Sequence, residues 1–290
     1  MNYKSIFNLL GILLAIFSLS FLPPLILSVF YAEPLSGIFL NSFLFLITLG
    51  CLMWFASRQK DLPLNISDGF IITTMFWVVL ACAGSIPFYF FGLNASDAIF
   101  ESVSGITTTG ATVIVGLDEL PKSLLLYRQL LQWIGGMGLI ILAVAVMPTL
   151  GIGGGQLYKM ELPGSHGNQK LTPKITDSAK ALWKIYFGLT IICALLYVFS
   201  GMNLFDAIAH SLSTVAGGGF STHDESIGFF NSGLIEAICI IFMLLSAASF
   251  AVHYAAIFGG KPLKYFYDSE FKFFLSVVIL IAIVICVYHT

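Results

Sequence analysis

Gly92 to Thr112 reads GLNASDAIFESVSGITTTGAT, and Gly201 to Ser221, GMNLFDAIAHSLSTVAGGGFS, lies on it without a gap at a displacement of 109 positions. Gly92, Asn94, Asp97, Ala98, Ile99, Ser102, Ser104 and Gly110 face Gly201, Asn203, Asp206, Ala207, Ile208, Ser211, Ser213 and Gly219. A repeated unit decides the fold before any single element does. Each copy reads as a short amphipathic helix followed by a loop of small residues. Asn94 and Asn203 are candidate N-caps, and Asp97 and Asp206 place negative charge in the first turn, where the helix dipole favours it. The helices end in Thr107-Thr108-Thr109-Gly110 and Ala216-Gly217-Gly218-Gly219. One such loop alone is a tight connection between helices. Two, each between long apolar segments, suggest a shared purpose.

The surroundings are those of a membrane. The chain has 290 residues, of which 58% are hydrophobic and 10% charged, with a mean hydropathy of +0.95. Soluble domains carry roughly 25% charged residues, so the composition implies an all-α polytopic membrane protein with no separate soluble domain. Apolar runs of spanning length, about 20 residues each, lie near 5–30, 37–57, 69–91, 123–147, 182–200, 232–258 and 271–290. The stretches 97–106 and 206–214 are too short to span and carry charge, so they read as re-entrant pore helices. Backbone of that kind at membrane depth is tolerated only where protein covers it or it lines a watery cavity.

This arrangement divides the chain into an N-terminal helix pair (1–60), a first membrane–pore–membrane unit (67–148), a loop (149–181), a second unit (182–258) and the first helix of a third (268–290). With the N-terminus in the cytoplasm, 11 of the 13 Lys and Arg residues are cytoplasmic, as the positive-inside rule asks. Lys122 and Arg128 fall outside. The outer face then collects Glu33, Asp97, Glu101, Asp118, Glu119, Asp206, Asp224 and Glu225, either to concentrate cations at a mouth or simply to stay hydrated. The loop 149–181 reads as a linker or as a docking site for a partner. No basic cluster points to nucleic acid. Cys51, Cys82, Cys193, Cys239 and Cys286 lie in apolar segments without ligand spacing and read as buried thiols.

Cation filters are rings of backbone carbonyls that replace a hydration shell, and neutral oxygens suit a large monovalent ion whereas divalent ions prefer carboxylates. Neither loop carries an acidic side chain. The candidate K⁺ ligands are the carbonyls of Thr108, Thr109 and Gly110 from one copy and of Gly217, Gly218 and Gly219 from the other. Arg128, inside the fourth span, is either functional or paired with Asp118 or Glu119. Gly135, Gly136 and Gly138 allow close helix approach, Pro87 bends the chain toward the first pore loop, and His253 and Glu236 are expected to face protein. No cluster of catalytic groups at one depth suggests an enzyme, and no organic cofactor is implied.

The runs SGITTTGATVIVGLDELP, YRQLLQWIGGMGLIILAVA and STVAGGGFSTHD resemble the Trk/Ktr/HKT superfamily of potassium transporters, most closely its bacterial TrkH subunits, over the whole chain. The resemblance implies K⁺ uptake across the bacterial inner membrane through a pseudo-fourfold pore, each unit contributing one filter with a key glycine, here Gly110 and Gly219. It also implies a homodimer working with a cytoplasmic nucleotide-binding regulatory subunit of the TrkA type. At Gly217 the family commonly carries an aliphatic residue, a departure expected to loosen the second filter. These residues hold two filters of four. Either they belong to a longer protein, or the gene is truncated, or two chains complete one pore; the alternative function is a non-conducting membrane subunit.

Overall fold

The computed structural model describes residues 3–58, 66–146, 175–257, 259–261 and 263–289. The loop expected at 149–181 lies outside the described residues as far as 174, along with Lys159, Lys170 and Lys174. Among the described residues helices are the only regular secondary structure.

The N-terminal pair is α1 (Tyr3–Ser18), continued through a 3-10 turn into α2 (Leu22–Phe30), and α3 (Ser36–Ala56). Pro23 and Pro24 sit in the first positions of α2, where a missing N–H costs nothing. The first unit comprises α4 (Ile66–Gly84), α5 (Ile86–Phe91), α6 (Ala95–Ile106) and α7 (Lys122–Val146). Pro87 stands at the start of α5, just beyond the break after Gly84, as its effect on a helix requires. The second unit comprises α8 (Ile175–Phe199), α9 (Leu204–Ala216), α10 (Gly233–Ala247) and α11 (Phe250–Ile257). A short α12 (Lys264–Tyr267) leads to α13 (Ser269–His289).

Among the described residues, five stretches are long and apolar enough to cross a membrane: Tyr3–Phe30, Ser36–Ala56, Ser67–Phe91, Lys180–Phe199 and Ser269–Tyr288. The 25-residue α7 matches them in length. The span expected at 232–258 is instead two helices, parted where Ala248 takes an extended conformation (φ −71°, ψ 143°). The break frees the Leu245 carbonyl, which accepts from the Ala248 N–H at 3.0 Å and from Nε2 of buried His253 at 2.9 Å. Tyr265 donates its hydroxyl to His253 Nδ1 at 2.7 Å. A polar side chain thus re-satisfies backbone that the helix abandons at membrane depth. Glu236, by contrast, is exposed in the first turn of α10 rather than turned toward protein. The cysteines also depart from expectation. Only Cys193 is buried, whereas Cys51, Cys82 and Cys286 lie on the surface, since a membrane protein turns apolar side chains outward as readily as inward.

Among the described residues two hydrophobic cores form, one from the N-terminal pair with the first unit, the other in the second unit. Helix α7 serves both, with Tyr127 and Leu131 in the first and Met137 in the second. Tyr127 is wholly buried between the rings of Phe21, Phe39 and Phe88, at centroid distances of 5.5, 5.6 and 5.3 Å, and its hydroxyl donates to the Gly84 carbonyl at 2.8 Å. Such ring pairs add about 0.5–1.5 kcal/mol each beyond the area they bury. Glu33, in the α2–α3 connection, accepts from the N–H groups of Lys122 and Ser123 at 2.8 and 3.1 Å and so caps α7.

Helices α1 and α3 meet backbone to backbone. A Cβ on Gly50 would lie 2.7 Å from the Gly11 carbonyl oxygen and 2.7 Å from the Ala15 nitrogen, the close approach that small residues permit between membrane helices. Gly50→Leu is expected to force the pair apart at a cost of about 3 kcal/mol, the upper end of ordinary overpacking. The loss would show as a lowered melting temperature in detergent; an unchanged one would place the helices further apart than described.

Candidate functional site

Both pore helices are built to one pattern at both ends. Asn94 Oδ1 accepts the Asp97 N–H at 2.9 Å and Asn203 Oδ1 accepts the Asp206 N–H at 3.0 Å. The same asparagines donate from Nδ2 to Asp97 and Asp206 at 2.7 and 2.6 Å, so each N-cap and its acidic partner lock together. At the other end Thr109 N donates to the Ser104 carbonyl at 2.9 Å, and Gly218 N to that of Ser213 at 3.0 Å. This six-residue closure is the Schellman stop, which needs a left-handed residue just beyond the helix. Thr108 (φ 55°) and Gly217 (φ 68°) supply it. Two residues on, Gly110 (φ 79°) and Gly219 (φ 81°) are left-handed again, while Thr109 and Gly218 between them are not.

The conformation accounts for Gly217. The position demands a positive φ, which glycine adopts freely, whereas a β-branched residue such as Thr108 is strained there. Strain of this kind costs on the order of 1–3 kcal/mol and gathers at functional sites.

Beyond each loop the departing strand is fastened to its own pore helix by a hydroxyl. Thr112 Oγ1 donates to the Glu101 carboxylate, 3.0 Å from each oxygen, and accepts from the Ile114 N–H at 3.1 Å. In the second copy Ser221 Oγ meets His210 Nε2 at 3.0 Å and accepts from the His223 N–H at 3.0 Å. Positions 101, 112 and 114 correspond to 210, 221 and 223 under the repeat, so one device is realised with a carboxylate in one unit and an imidazole in the other. His210 Nδ1 lies 3.0 Å from the Asp206 carbonyl, which can only accept. Nε2 is therefore left to accept from Ser221.

Helix α7 binds the copies together. Arg128 is fully buried and does not reach Asp118 or Glu119. Its Nε donates to Glu101 at 2.7 Å, its Nη1 to the Ser221 carbonyl at 3.0 Å and its Nη2 to Thr112 Oγ1 at 3.1 Å, with Phe220 beneath the guanidinium at 4.3 Å. A buried charge needs a partner at its own depth, and Glu101, wholly buried on the pore helix rather than part of the outer face, provides it. The signal was present in the sequence as two lone opposite charges inside apolar segments. One turn further on, Gln132 Oε1 accepts the Phe220 N–H at 3.0 Å. Two of the three expected glycines then let α7 reach both loops: a Cβ on Gly135 would lie 2.0 Å from the Ile106 carbonyl oxygen, and one on Gly136 would lie 3.3 Å from Ala216 Cβ. The loops themselves touch, since a Cβ on Gly110 would fall 1.8 Å from the Gly218 carbonyl oxygen.

Above the loops, His223 stands between two carboxylates, with Nδ1 against Asp118 and Nε2 3.2 Å from Asp206, while its ring stacks on Phe229. Asp206 also accepts from Thr222 Oγ1 at 2.7 Å. Asp224 accepts from the N–H groups of Gly116 and Leu117, both at about 3.1 Å or less, and its own N–H donates to Asp118. Hydrogen bonds from His223 and from the Asp224 backbone hold the Asp118 carboxyl below its ordinary 3.8. The expected acidic face is therefore largely consumed: Glu33, Glu101, Asp118, Asp206 and Asp224 each bond to another element, whereas among the described residues Asp97 bonds to its own cap and Glu119 and Glu225 are exposed without such bonds.

The six expected ligands Thr108–Gly110 and Gly217–Gly219 thus lie on two loops of one design in mutual contact. A family model described as TrkH, cation transport protein, matches residues 36–289. The chain belongs to the TrkH family. Over 289 residues it is 48% identical to the Trk system potassium uptake protein TrkH of Vibrio parahaemolyticus, covering 98% of this chain and 60% of that relative. With TrkH of Escherichia coli K12 it shares 44% identity over 280 residues, covering 96% and 58%. The crystal structure of the potassium transporter TrkH from Vibrio parahaemolyticus superposes with a TM-score of 0.84 at 46% identity, covering 98% of this chain and 58% of that one. The chain spans about 60% of the length of the curated relatives it matches.

Two tests follow from the ties around this TrkH-family site. Arg128→Met strands the Glu101 carboxylate and is expected to cost about 3–5 kcal/mol, part of which Glu101→Gln in the same chain should restore, because emptying a buried site of both charges is milder than removing one. Equal destabilisation by the single and double variants, measured by denaturation in detergent, would show that the pair carries no such coupling. For Asp118, a carboxyl lowered on folding stabilises above its ordinary value of 3.8 and ceases to as pH falls through the lowered value. Asp118→Asn is therefore expected to lower the melting temperature at pH 7, with the gap closing only below 3.8. A gap independent of pH would contradict the clamp.

Proposed function

We propose that this chain supplies the first two filter stretches of a K⁺ pathway in a Trk-type uptake system, with the carbonyls of Thr108, Thr109, Gly110, Gly217, Gly218 and Gly219 as ligands. The observation that carries this reading is the recurrence of one backbone pattern, left-handed, ordinary, left-handed, at 108–110 and 217–219. In a strand of uniform handedness successive carbonyls face opposite ways. Alternating the handedness turns them toward a common side, which a carbonyl-lined ion path needs. The C-terminal ends of α6 and α9 lead into the loops and bring about half a negative charge each.

A cation held by neutral oxygens moves without covalent chemistry, so the activity is transport and not catalysis. The relatives are named as potassium uptake proteins of the Trk system, which supports K⁺ as the ion. The membrane is the bacterial inner membrane, with the N-terminus cytoplasmic and the His223 network at the outer mouth. The division into an N-terminal pair (1–60), units at 67–148 and 182–258, a joining loop (149–181) and a further helix (268–290) is the frame of this pathway. A ring of four filters takes two stretches beyond these residues. The protein works as a homodimer with a nucleotide-binding TrkA-type subunit on the cytoplasmic side.

Growth of a K⁺-uptake-deficient bacterium on limiting K⁺ tests the reading, using the longest reading frame that contains these residues and, beside it, the 290-residue chain. Rescue by the longer frame is expected. Failure of both overturns the proposal, and rescue by the short chain alone would mean that two chains pool their filters. Gly110→Ser and Gly219→Ser in the rescuing frame are each expected to reduce K⁺ over Na⁺ preference, because both positions take a positive φ and a side chain at 110 also meets the Gly218 carbonyl; an unchanged preference in both would overturn the ligand assignment.

A further inference from the structure

Gln129 and Gln132 are both buried amides of α7, and Gln132 is the one that reaches the second filter loop. Gln132 is wholly buried, its Oε1 holds the Phe220 N–H at 3.0 Å, and its Nε2 has no hydrogen-bond partner among the described residues. The amide is pressed against the second filter. A Cβ on Gly218 would lie 2.4–2.6 Å from the amide carbon, nitrogen and oxygen of Gln132, and one on Gly110 would lie 3.7 Å from Nε2. The side chain therefore occupies the junction where the two filter loops meet, with its oxygen tied to the residue after Gly219 and its NH₂ beside both strands. An unpaired buried donor is rarely left in place without a reason. The corresponding helix of the second unit, α10, carries no amide side chain, so the second unit does not repeat this wedge.

We propose that Gln132 is a positioning residue that sets the spacing between the first two filter stretches, and with it the preference for K⁺ over Na⁺. This rests on the K⁺ pathway proposed above. Discrimination between these ions depends on how many carbonyls reach the ion and at what spacing, and the backbone of Gly218 can neither close on α7 nor drift from it while the Gln132 amide fills that gap. The Phe220 N–H bond fixes the end of the same strand. Gln132 touches the strand and not the ion, so its effect is on selectivity through the position of the carbonyls.

The test measures K⁺ and Na⁺ uptake kinetics in the frame that rescues growth, for the unaltered protein and for Gln132→Met, Gln132→Asn and Gln132→Glu, with membrane abundance and detergent melting temperature alongside. Met has the length but no acceptor, and the K⁺/Na⁺ ratio of kcat/KM is expected to fall about tenfold, with a raised KM for K⁺. Asn keeps the amide but withdraws it, and is expected to lower the ratio about threefold; it decides the matter if Met does not fold. Glu keeps both the length and the acceptor and should retain more of the ratio than Met. Variants that are folded and abundant yet keep the original ratio overturn the inference alone. Unaltered protein that accumulates no K⁺ overturns the transport reading beneath it.

Discussion

A charge removed from water must find its partner at the same depth, and in this chain that requirement is met by one guanidinium. Arg128 spends its three donor nitrogens on Glu101, Thr112 and the Ser221 carbonyl. The first belongs to the first pore helix, the second to the strand leaving the first loop, and the third to the strand leaving the second. Lysine, a point charge with a single nitrogen, could not span such a set. The rest of the architecture serves this junction. Glu33 caps the helix that carries Arg128, Tyr127, the residue before it, is anchored among three rings, and Gly135 and Gly136 draw the following turn onto Ile106 and Ala216.

Much of this was legible in the sequence because it repeats. Asn94 with Asp97 and Asn203 with Asp206 announced the caps, and the small residues at 107–110 and 216–219 announced the loops, since local hydrogen bonding and backbone freedom act over three or four positions and leave their mark in composition. The partners of Arg128 were not legible. Asp118 and Glu119 are nearer in sequence than Glu101, and only the packing of α6 on α7 shows that Glu101 turns inward while Asp118 is occupied by His223. The break at Ala248 was hidden for a similar reason: Ser246-Ala247-Ala248-Ser249 is apolar enough to pass as helix, and the polar atoms that make a break tolerable come from His253, in the next helix. The cysteines were misjudged because hydropathy measures affinity for an apolar surrounding and cannot tell protein from lipid.

The two copies agree in backbone and differ in chemistry. Caps, Schellman closures and left-handed positions coincide residue for residue. The hydroxyl fastening coincides as geometry, yet one copy relies on a carboxylate neutralised by arginine and the other on an imidazole held by the backbone carbonyl of Asp206. Backbone conformation answers to the loops' common purpose, whereas side-chain chemistry answers to each unit's neighbours.

That divergence turns the units into keyed parts. Helix α10, the counterpart of the helix that carries Arg128, has no arginine, so a first-unit loop grafted into the second would carry Glu101 into a niche with no arginine to receive it. A His210 brought into the first unit would in turn leave Arg128 without its carboxylate. The order of the two units is thereby written into the fasteners as well as into the chain that joins them, and exchanging their loops would break both.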